Sequence, residues 1–315
     1  MKLSLCALLF VLIMLTACDT PVSKLETEAE VIKDHHFSLV RLPFEGLYKN
    51  RSNLYNTMNY GLHDQDGVLL FTYQGSHYYH PVDICHTSLE ALNDYYISNN
   101  PLYLNYAITN LEKIRSLATR YENMLYFKYD FTYDASDQVV YTAPWYSGMA
   151  QGMALSAYSR LYYFTKDPLY QCVADSILAT MTDFDSSFQC VLISDAEGLL
   201  KEANYYWIDE YPHHIKRYVL NGSIIGSMGL YDHWWVFRDE SSKIWFSRAM
   251  TTYKDKVLLF RNPGEMSAYC LKFREQIPLY HELHQYLLDL CSATTNDPLY
   301  EAISDLFHAD YTRKD

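Results

Sequence analysis

One short string occurs three times in this sequence: residues 100–103 read Asn-Pro-Leu-Tyr, and residues 167–170 and 297–300 read Asp-Pro-Leu-Tyr. Asn or Asp followed by Pro is typical of a helix start, because the side chain caps the first backbone N–H groups and Pro is tolerated at the first helical position. Each copy follows a stretch that itself reads as helical: residues 86–97, 148–164 and 281–291. Each copy therefore predicts a helix, a short turn and a second helix.

A fourth pair lacks the proline but fits the series, with helices expected at residues 221–237 and 241–259. The first helices of the four pairs then start near 86, 147, 221 and 280, about 60–75 residues apart, a repeat that indicates stacked helical units. Strand-like segments lie between the pairs or before them: residues 68–73, 125–133, 191–206 and 266–273. We expect an all-α fold, an incomplete (α/α) toroid of about four helical hairpins with small β-hairpin inserts at one rim.

The N-terminus reads as a bacterial lipoprotein signal. Met1-Lys2 precedes an apolar run to residue 15, and the small residues before Cys18 resemble a lipidation motif. The run is short for a membrane helix. We expect a signal peptide at 1–17, a lipid-anchored tether at 18–40 beginning with lipidated Cys18, and a catalytic domain at 41–315. An ordinary signal peptide is the alternative.

A lipidated Cys18 would attach the protein to a lipid membrane of the bacterial cell envelope. Asp19 favours the periplasmic face of the inner membrane, with the outer membrane as the alternative.

Charge and composition exclude some functions. The net charge is −13 with no basic run, which argues against a nucleic-acid partner. The 31 tyrosines provide phenol rings that can stack on sugars and transfer protons. No glycine-rich phosphate loop or nucleophile elbow is present, so nucleotide and serine-hydrolase chemistry are unsupported. His281 and His284 are spaced like metal ligands on a helix, but no third ligand matches, and no metal is predicted.

Four segments follow one another in a recognisable order. Residues 144–152 read Pro-Trp-Tyr-Ser-Gly-Met-Ala-Gln-Gly, 210–212 read Glu-Tyr-Pro, 219–222 read Val-Leu-Asn-Gly, and 229–232 read Gly-Leu-Tyr-Asp. Taken singly, helix packing explains the small residues of the first segment, and a tyrosine that closes a β-hairpin explains the second. In this order they resemble the C-terminal catalytic domain of D-glucuronyl C5-epimerases, which convert glucuronate to iduronate in heparosan and heparan sulfate. The resemblance runs from about residue 67 to about residue 290 and includes residues 79–84.

The resemblance implies an (α/α) toroid and assigns the site. Its catalytic tyrosines fall on Tyr211, Tyr269 and Tyr280, with Glu210 beside the first. Further substrate-binding residues are expected among the matched segments: Trp145, Tyr146, Gln151, Asn221, His281, His284, Lys272 and Arg274. The family's arginine after the hairpin tyrosine is Lys272 here, which offers a point charge instead of a fork to a carboxylate. The animal enzymes carry β-rich domains before the catalytic domain, and we expect no room for them in this sequence.

Inverting C5 of a uronate requires a proton to leave one face of the ring and another to arrive on the opposite face. The resemblance makes Tyr211 and Tyr280 this opposed pair, without deciding which abstracts. Tyr269 would support or orient, Glu210 would tune Tyr211 or the sugar, and Lys272, together with Arg274, would neutralise the substrate carboxylate. No cofactor is required, and the expected partner is a uronate-containing polysaccharide.

Two other functions remain open at this point. A polysaccharide lyase forms the same C5 carbanion but expels the C4 substituent, which leaves an unsaturated uronate that absorbs ultraviolet light. A non-catalytic glycan-binding lipoprotein would use the tyrosines only for stacking. The sequence predicts neither the particular uronan nor the oligomeric state.

Overall fold

The computed structural model describes residues 32–49, 61–135, 139–194, 200 and 204–312. Within these residues the chain forms an incomplete (α/α) toroid of four helical hairpins, as predicted. The eight α-helices are α1 (Pro81–Ser98), α2 (Pro101–Leu117), α3 (Gly148–Thr165), α4 (Pro168–Thr180), α5 (Leu220–Phe237), α6 (Glu240–Lys256), α7 (Pro278–Thr295) and α8 (Pro298–Asp310). The predicted signal peptide, Cys18 and the first part of the tether lie outside the described residues.

All four hairpins turn in the same way. The first helix ends at a residue with a left-handed backbone, and the next residue is extended and caps the second helix: Asn99-Asn100, Lys166-Asp167, Arg238-Asp239 and Asn296-Asp297. In each case the side chain of the Asn or Asp accepts a hydrogen bond from a backbone N–H in the first turn. The hairpin of α5 and α6 thus has the same cap without the proline, so it forms the same turn as the other three.

The first helices of the hairpins form the inner ring. They contact one another in the order α1, α3, α5, α7, and each packs against its own outer helix. The α3–α5 crossing is the closest, because a β-carbon at Gly152 would overlap the backbone of Gly226. Helix α5 is buried from Leu220 to Trp235, and therefore forms the centre of the fold.

Short antiparallel strands connect the hairpins. They are β1 (Leu62–His63), β2 (Leu69–Tyr73), β3 (Ser76–Tyr78), β4 (Thr119–Tyr121), β5 (Met124–Tyr126), β6 (Lys128–Tyr129), β7 (Tyr133–Asp134), β8 (Val140–Tyr141), β9 (Trp145–Tyr146), β10 (Val191–Ser194) and β11 (Tyr205–Ile208). The pairs are β1–β2, β2–β3, β4–β5, β6–β9, β7–β8 and β10–β11. The strand predicted at 266–273 was wrong, because that segment makes only isolated bridges, at Ala268 and Cys270.

Residues 32–49 run across the helices as a strap. The backbone N–H of His35 donates to Thr251 Oγ1 at 2.8 Å, and that of Phe37 donates to Ser247 Oγ at 3.1 Å. Further along, the Leu42 carbonyl accepts from the indole N–H of Trp235 at 2.7 Å. The described part of the predicted 18–40 tether is thus bound to the helical domain.

Candidate active site

The Glu210–Tyr211 segment is held by the strand before it and by the start of α3. Strand β11 is buried at every residue and leads directly into Asp209. The backbone N–H of Asp209 donates to the Cys190 carbonyl, and that of Gly148 donates to the Asp209 carbonyl, each at 2.9 Å. These bonds fix the backbone next to Glu210, so the acidic side chain and Tyr211 emerge at a defined place above α3 and α5.

The carboxyl group of Glu210 is buried against the first turn of α5. A β-carbon at Gly222 would overlap Glu210 Oε2, so the missing side chain at that position makes room for the carboxyl group. Burial raises the pKa of Glu210 to about 7, although the Tyr211 hydroxyl and the Arg217 charge partly oppose the shift. An acid with this pKa exchanges a proton readily near neutral pH.

Tyr269 and Tyr280 lie side by side at the same place. Their ring centroids are 4.5 Å apart with 31° between the ring planes. Two backbone hydrogen bonds hold Tyr269 in place. Its N–H donates to the Glu275 carbonyl at 2.7 Å, and its carbonyl accepts from the N–H of Leu220, the first residue of α5, at 3.2 Å. Tyr280 is the third residue of α7. The structure thus brings together three tyrosines from three separate segments.

The pKa values of the three phenols show how closely they are coupled to Glu210. Burial raises the pKa of Tyr211 well above its ordinary value, and the Glu210 charge raises it further. The same two causes raise the pKa of Tyr269 and Tyr280, whereas the charge of Arg217 and a hydrogen bond with Tyr211 lower that of Tyr269. Each phenol is therefore protonated at rest, and a neighbouring group must take its proton if it is to act as a base.

Arg217 is a cation that lies among these rings, and it was not among the residues predicted from the sequence. Its guanidinium carbon is 5.8 Å from the ring centroids of Tyr211 and Tyr269. The side chain is almost fully buried, and its Nη2 is 2.7 Å from Glu275 Oε1. The residue lies in the connection between the Glu-Tyr-Pro segment and α5, where no motif points to it; only its position two residues before the Val-Leu-Asn-Gly string could have raised it as a candidate.

Two predicted aromatic residues lie on opposite faces of β9. The Trp145 ring stacks on Tyr129 at 3.9 Å, and its centroid is 6.1 Å from that of Tyr211, so it belongs to the wall of the site. Tyr146 points the other way, where its hydroxyl is 2.9 Å from Thr119 Oγ1. Alternation along a strand separates neighbouring side chains, and the structure gives no support to Tyr146 as a substrate-binding residue.

Gln151 has a structural role instead of the predicted one. Its side chain is fully buried, and its Oε1 accepts from the backbone of Phe127 at 2.8 Å. Its Nε2 donates to the Leu125 carbonyl and to Thr180 Oγ1, both at 2.9 Å. Both ends of the amide are thus used to fasten the strand segment to the helices, and the prediction that Gln151 binds substrate is corrected.

The two predicted histidines lie behind the tyrosines, in contact with Ser267. The backbone N–H of Ser267 donates to His281 Nδ1 at 2.9 Å, so the proton of that ring is on Nε2, which donates to the Tyr311 carbonyl at 3.0 Å. His284 Nδ1 is 2.8 Å from Ser267 Oγ, and burial lowers the pKa of His284 to about 3. Through Ser267 the two imidazoles fasten the segment that carries Tyr269 to the helix that carries Tyr280.

The predicted cations are placed differently from Arg217. The Arg274 guanidinium donates to the Leu259 carbonyl at 3.0 Å and to Asn262 Oδ1 at 2.6 Å, which accounts for its position outside the cluster. Lys272 is exposed, and its backbone N–H donates to the Arg217 carbonyl at 3.2 Å. The prediction that these two residues bind the substrate carboxylate is therefore not supported by the geometry.

Asn221, like Trp145, is a predicted substrate-binding residue that lies at the site. It is the second residue of α5, 3% exposed, next to the glycine on which Glu210 rests. Among the described residues, its Oδ1 has no hydrogen-bond partner. In the same part of the chain, no group of three His, Cys, Asp or Glu side chains is arranged to hold a metal ion, and no helix is long and apolar enough to cross a membrane.

The chain is similar to a solved structure and to a protein family. The structure of a family 76 glycoside hydrolase from a bovine Bacteroides thetaiotaomicron strain aligns with 72% of this chain at 13% sequence identity and a TM-score of 0.42. This chain covers 43% of that enzyme, less than half its length. The family model described as D-glucuronyl C5-epimerase C-terminus matches residues 120–309, from β4 through α8, including all three tyrosines. The chain belongs to this D-glucuronyl C5-epimerase C-terminus family.

Proposed function

We propose that the chain is a carbohydrate epimerase that inverts C5 of D-glucuronate residues in a polysaccharide to L-iduronate. The observation that carries the proposal is the meeting of Tyr211, Tyr269 and Tyr280 around one buried carboxyl group. Three phenols around an acid of neutral pKa are a proton-transfer site, because each can donate or accept a proton without a cofactor.

The reaction divides between the two sides of the cluster. In one direction Tyr211 takes the C5 proton while its own hydroxyl proton passes to Glu210, so the C5–H electrons move into the carboxylate to form an enediolate. Glu210 suits this step because burial raises its pKa to about 7, closer to neutral than a buried phenol. A proton from Tyr280 then forms the new C5–H bond on the opposite face. Glu210 then releases its extra proton to solvent, and the Tyr280 phenolate takes one up, which restores the starting state.

Tyr269 supports this pair instead of reacting. Its ring lies against that of Tyr280, and the Tyr211 hydroxyl lowers its pKa, so Tyr269 borders both reacting tyrosines. A phenol in this position can hold the sugar ring and relay protons between the reacting tyrosines after each turnover.

The cellular setting is part of the same proposal. The N-terminal lipidation motif at Cys18 supports attachment to a membrane of the bacterial cell envelope, with the periplasmic face of the inner membrane favoured. A uronate-containing polysaccharide such as heparosan would then reach the enzyme in that compartment.

Deuterium exchange tests the function directly. Full-length protein incubated with heparosan in deuterated water should place deuterium at C5 and produce iduronate signals in NMR spectra, without new ultraviolet absorbance. Tyr211→Phe and Tyr280→Phe should each lower the exchange rate at least about 100-fold, since each removes an acid/base group. Tyr121→Phe, which changes an exposed tyrosine on β4, is the matched control and should keep the wild-type rate.

The other outcomes are equally informative. Absorbance from unsaturated ends would show that the carbanion loses its C4 substituent, which makes the protein a lyase. Binding without exchange on heparosan and on other uronans would contradict the epimerase and leave a glycan-binding protein.

A further inference from the structure

Four buried polar atoms around Tyr211 have no hydrogen-bond partner among the described residues. They are Glu210 Oε2, Asn221 Oδ1, the Tyr141 hydroxyl and Arg217 Nε. Buried polar groups in folded proteins are nearly always bonded, so a group of four such atoms at one place points to a ligand that completes them. The ring centroid of Tyr141 lies 5.3 Å from that of Tyr211, which puts its hydroxyl in the same cluster.

The chemical types of the four atoms describe that ligand. Asn221 Oδ1 and an ionised Glu210 accept hydrogen bonds, and they suit the hydroxyl groups of a sugar. The Tyr141 hydroxyl and Arg217 Nε can donate, and the guanidinium is positively charged, so they suit an anionic oxygen. A polyhydroxylated carboxylic acid has both kinds of group, whereas a neutral hexose offers no charge to the arginine.

The guanidinium of Arg217 is fixed in place before any ligand binds. Glu275 holds it at Nη2, and the same carboxylate accepts from the Cys270 thiol through its other oxygen at 2.8 Å. The rings of Tyr211 and Phe273 lie 5.8 and 5.4 Å from the guanidinium carbon. A planar group held on one side by a carboxylate and between aromatic rings loses little freedom on binding, which favours recognition by its remaining N–H groups.

Arg217 lies beside Lys272, the cation that the resemblance matches to an arginine. The side chain of Lys272 is exposed. Its backbone N–H donates to the Arg217 carbonyl, so the two positions are adjacent in space. A guanidinium can therefore reach the same region from the neighbouring segment.

We propose that Arg217 binds the C6 carboxylate of the substrate and makes the site selective for uronates over neutral sugars. This inference rests on the proposed function, because it names the group that holds the reacting sugar. In the reaction, the guanidinium faces the carboxylate where the negative charge of the enediolate develops, and stabilises it as C5 loses its proton.

The test compares binding of two ligands by titration calorimetry. One is a heparosan oligosaccharide, and the other is the same oligosaccharide with its carboxyl groups reduced to alcohols. The wild-type protein should bind the acid about 10–100-fold more tightly, the range expected for a hydrogen bond to a charged group. In Arg217→Gln this preference should fall to about onefold, whereas Arg120→Gln, which removes an exposed cation on β4, should keep it.

A second variant covers the case in which the glutamine protein does not fold. Arg217→Lys keeps the charge but loses the fork, so we expect a preference reduced several-fold and not abolished. Because the readout is a ratio of two ligands on one protein, a general loss of stability does not imitate it. In deuterium exchange, Arg217→Lys should raise KM and lower kcat, since the same contact serves the bound sugar and the enediolate.

Four results would overturn or separate the proposals. An unchanged preference in Arg217→Gln overturns the inference, as does a loss of preference in Lys272→Gln with Arg217→Gln unaffected. A preference that depends on Arg217 in a protein that gives no deuterium at C5 supports carboxylate binding and contradicts the epimerase. Deuterium at C5 without any preference for the acid contradicts this inference alone.

Discussion

At the scale of single residues, the site shows which sequence signals are specific and which are shared with packing. Tyr211, Tyr269 and Tyr280 were predicted from ordered motifs, and the structure brings the three together. Gln151 lies in an equally specific motif, yet its amide is consumed by backbone groups. A motif fixes where a residue lies along the chain, but only the neighbouring backbone decides whether its polar atoms face a ligand or the core.

Arg217 shows the opposite case. It belongs to no motif, and nothing in the spacing of the sequence brings it near Tyr269, which is 52 positions further along the chain. Its place depends on Glu275, which lies in the same distant segment as Tyr269. This meeting of two segments follows from the tertiary fold, whereas Lys272 and Arg274 are close to Tyr269 in the sequence and were therefore predicted instead.

The pKa of Glu210 leads to a prediction about pH. If ionised Glu210 receives the proton of Tyr211, the rate of C5 exchange requires the carboxylate, and kcat/KM should rise with pH through about 7. Glu210→Gln should lose this inflection and lower kcat about 100–10,000-fold, the usual contribution of a general base. Deuterium exchange measured from pH 5 to pH 9 checks both effects.

The matched variant for this measurement is Asn221→Ala, which removes a buried polar atom at the same site but no ionisable group. Its rate should be lower at every pH while the inflection near 7 persists. A pH profile that is unchanged in Glu210→Gln would show that another group carries the inflection.

At the scale of elements, the hairpins were predictable because their signals are local. An Asn or Asp that caps a helix does so within its own first turn, and α2, α4 and α8 begin at the prolines of the repeated string, Pro101, Pro168 and Pro298. Helix α1 starts five residues earlier than predicted, at Pro81, with His80 as its cap, a residue type outside the usual capping set. The strand predicted around Tyr269 was wrong for the opposite reason. The backbone bonds of that segment go to distant residues and not to a neighbouring strand.

The contact between this segment and α7 yields a second prediction. Ser267→Ala removes the hydroxyl that lies 2.9 Å from His281 Nδ1 and 2.8 Å from His284 Nδ1. His284 then loses a hydrogen-bond partner in a fully buried position, so we expect the free energy of unfolding to fall by about 1–3 kcal/mol. Urea denaturation followed by tryptophan fluorescence measures this change.

The same substitution should reach the chemistry, because Ser267 fixes Tyr269 relative to Tyr280. We expect kcat for C5 exchange to fall about 10–100-fold with KM nearly unchanged, since small displacements of reacting groups are costly. Ser116→Ala, which removes an exposed hydroxyl bonded only to a carbonyl of its own helix, should change neither quantity. A variant that is less stable but has normal kcat would limit the role of Ser267 to stability.

At the scale of the whole molecule, the strap decides where the folded domain begins. The predicted boundary at residue 41 came from composition, because the Glu- and Lys-rich stretch before it resembles a tether. Composition cannot predict that Ile32 is buried or that Phe37 packs near Tyr300, with the two ring centroids 6.2 Å apart. The local sequence of the strap is irregular, and its contacts with α5, α6 and the last hairpin order it.

This difference gives the last prediction. A protein that starts at residue 41 loses the Phe37 ring, the bridge between Ile32 and Asn204, and the backbone bonds to Thr251 and Ser247. Phe37 is half-buried, so loss of its ring should cost less than the about 3–5 kcal/mol of a fully buried aromatic side chain. Together with the lost backbone bonds, this should make the protein unfold at a lower urea concentration than one that starts at residue 32. Phe37→Ala in the full-length chain leaves every backbone bond in place, so it measures the part of the loss that belongs to the ring. Equal midpoints for the two truncated proteins would mean that the strap lies on the helices without stabilising them, and would restore residue 41 as the start of the domain.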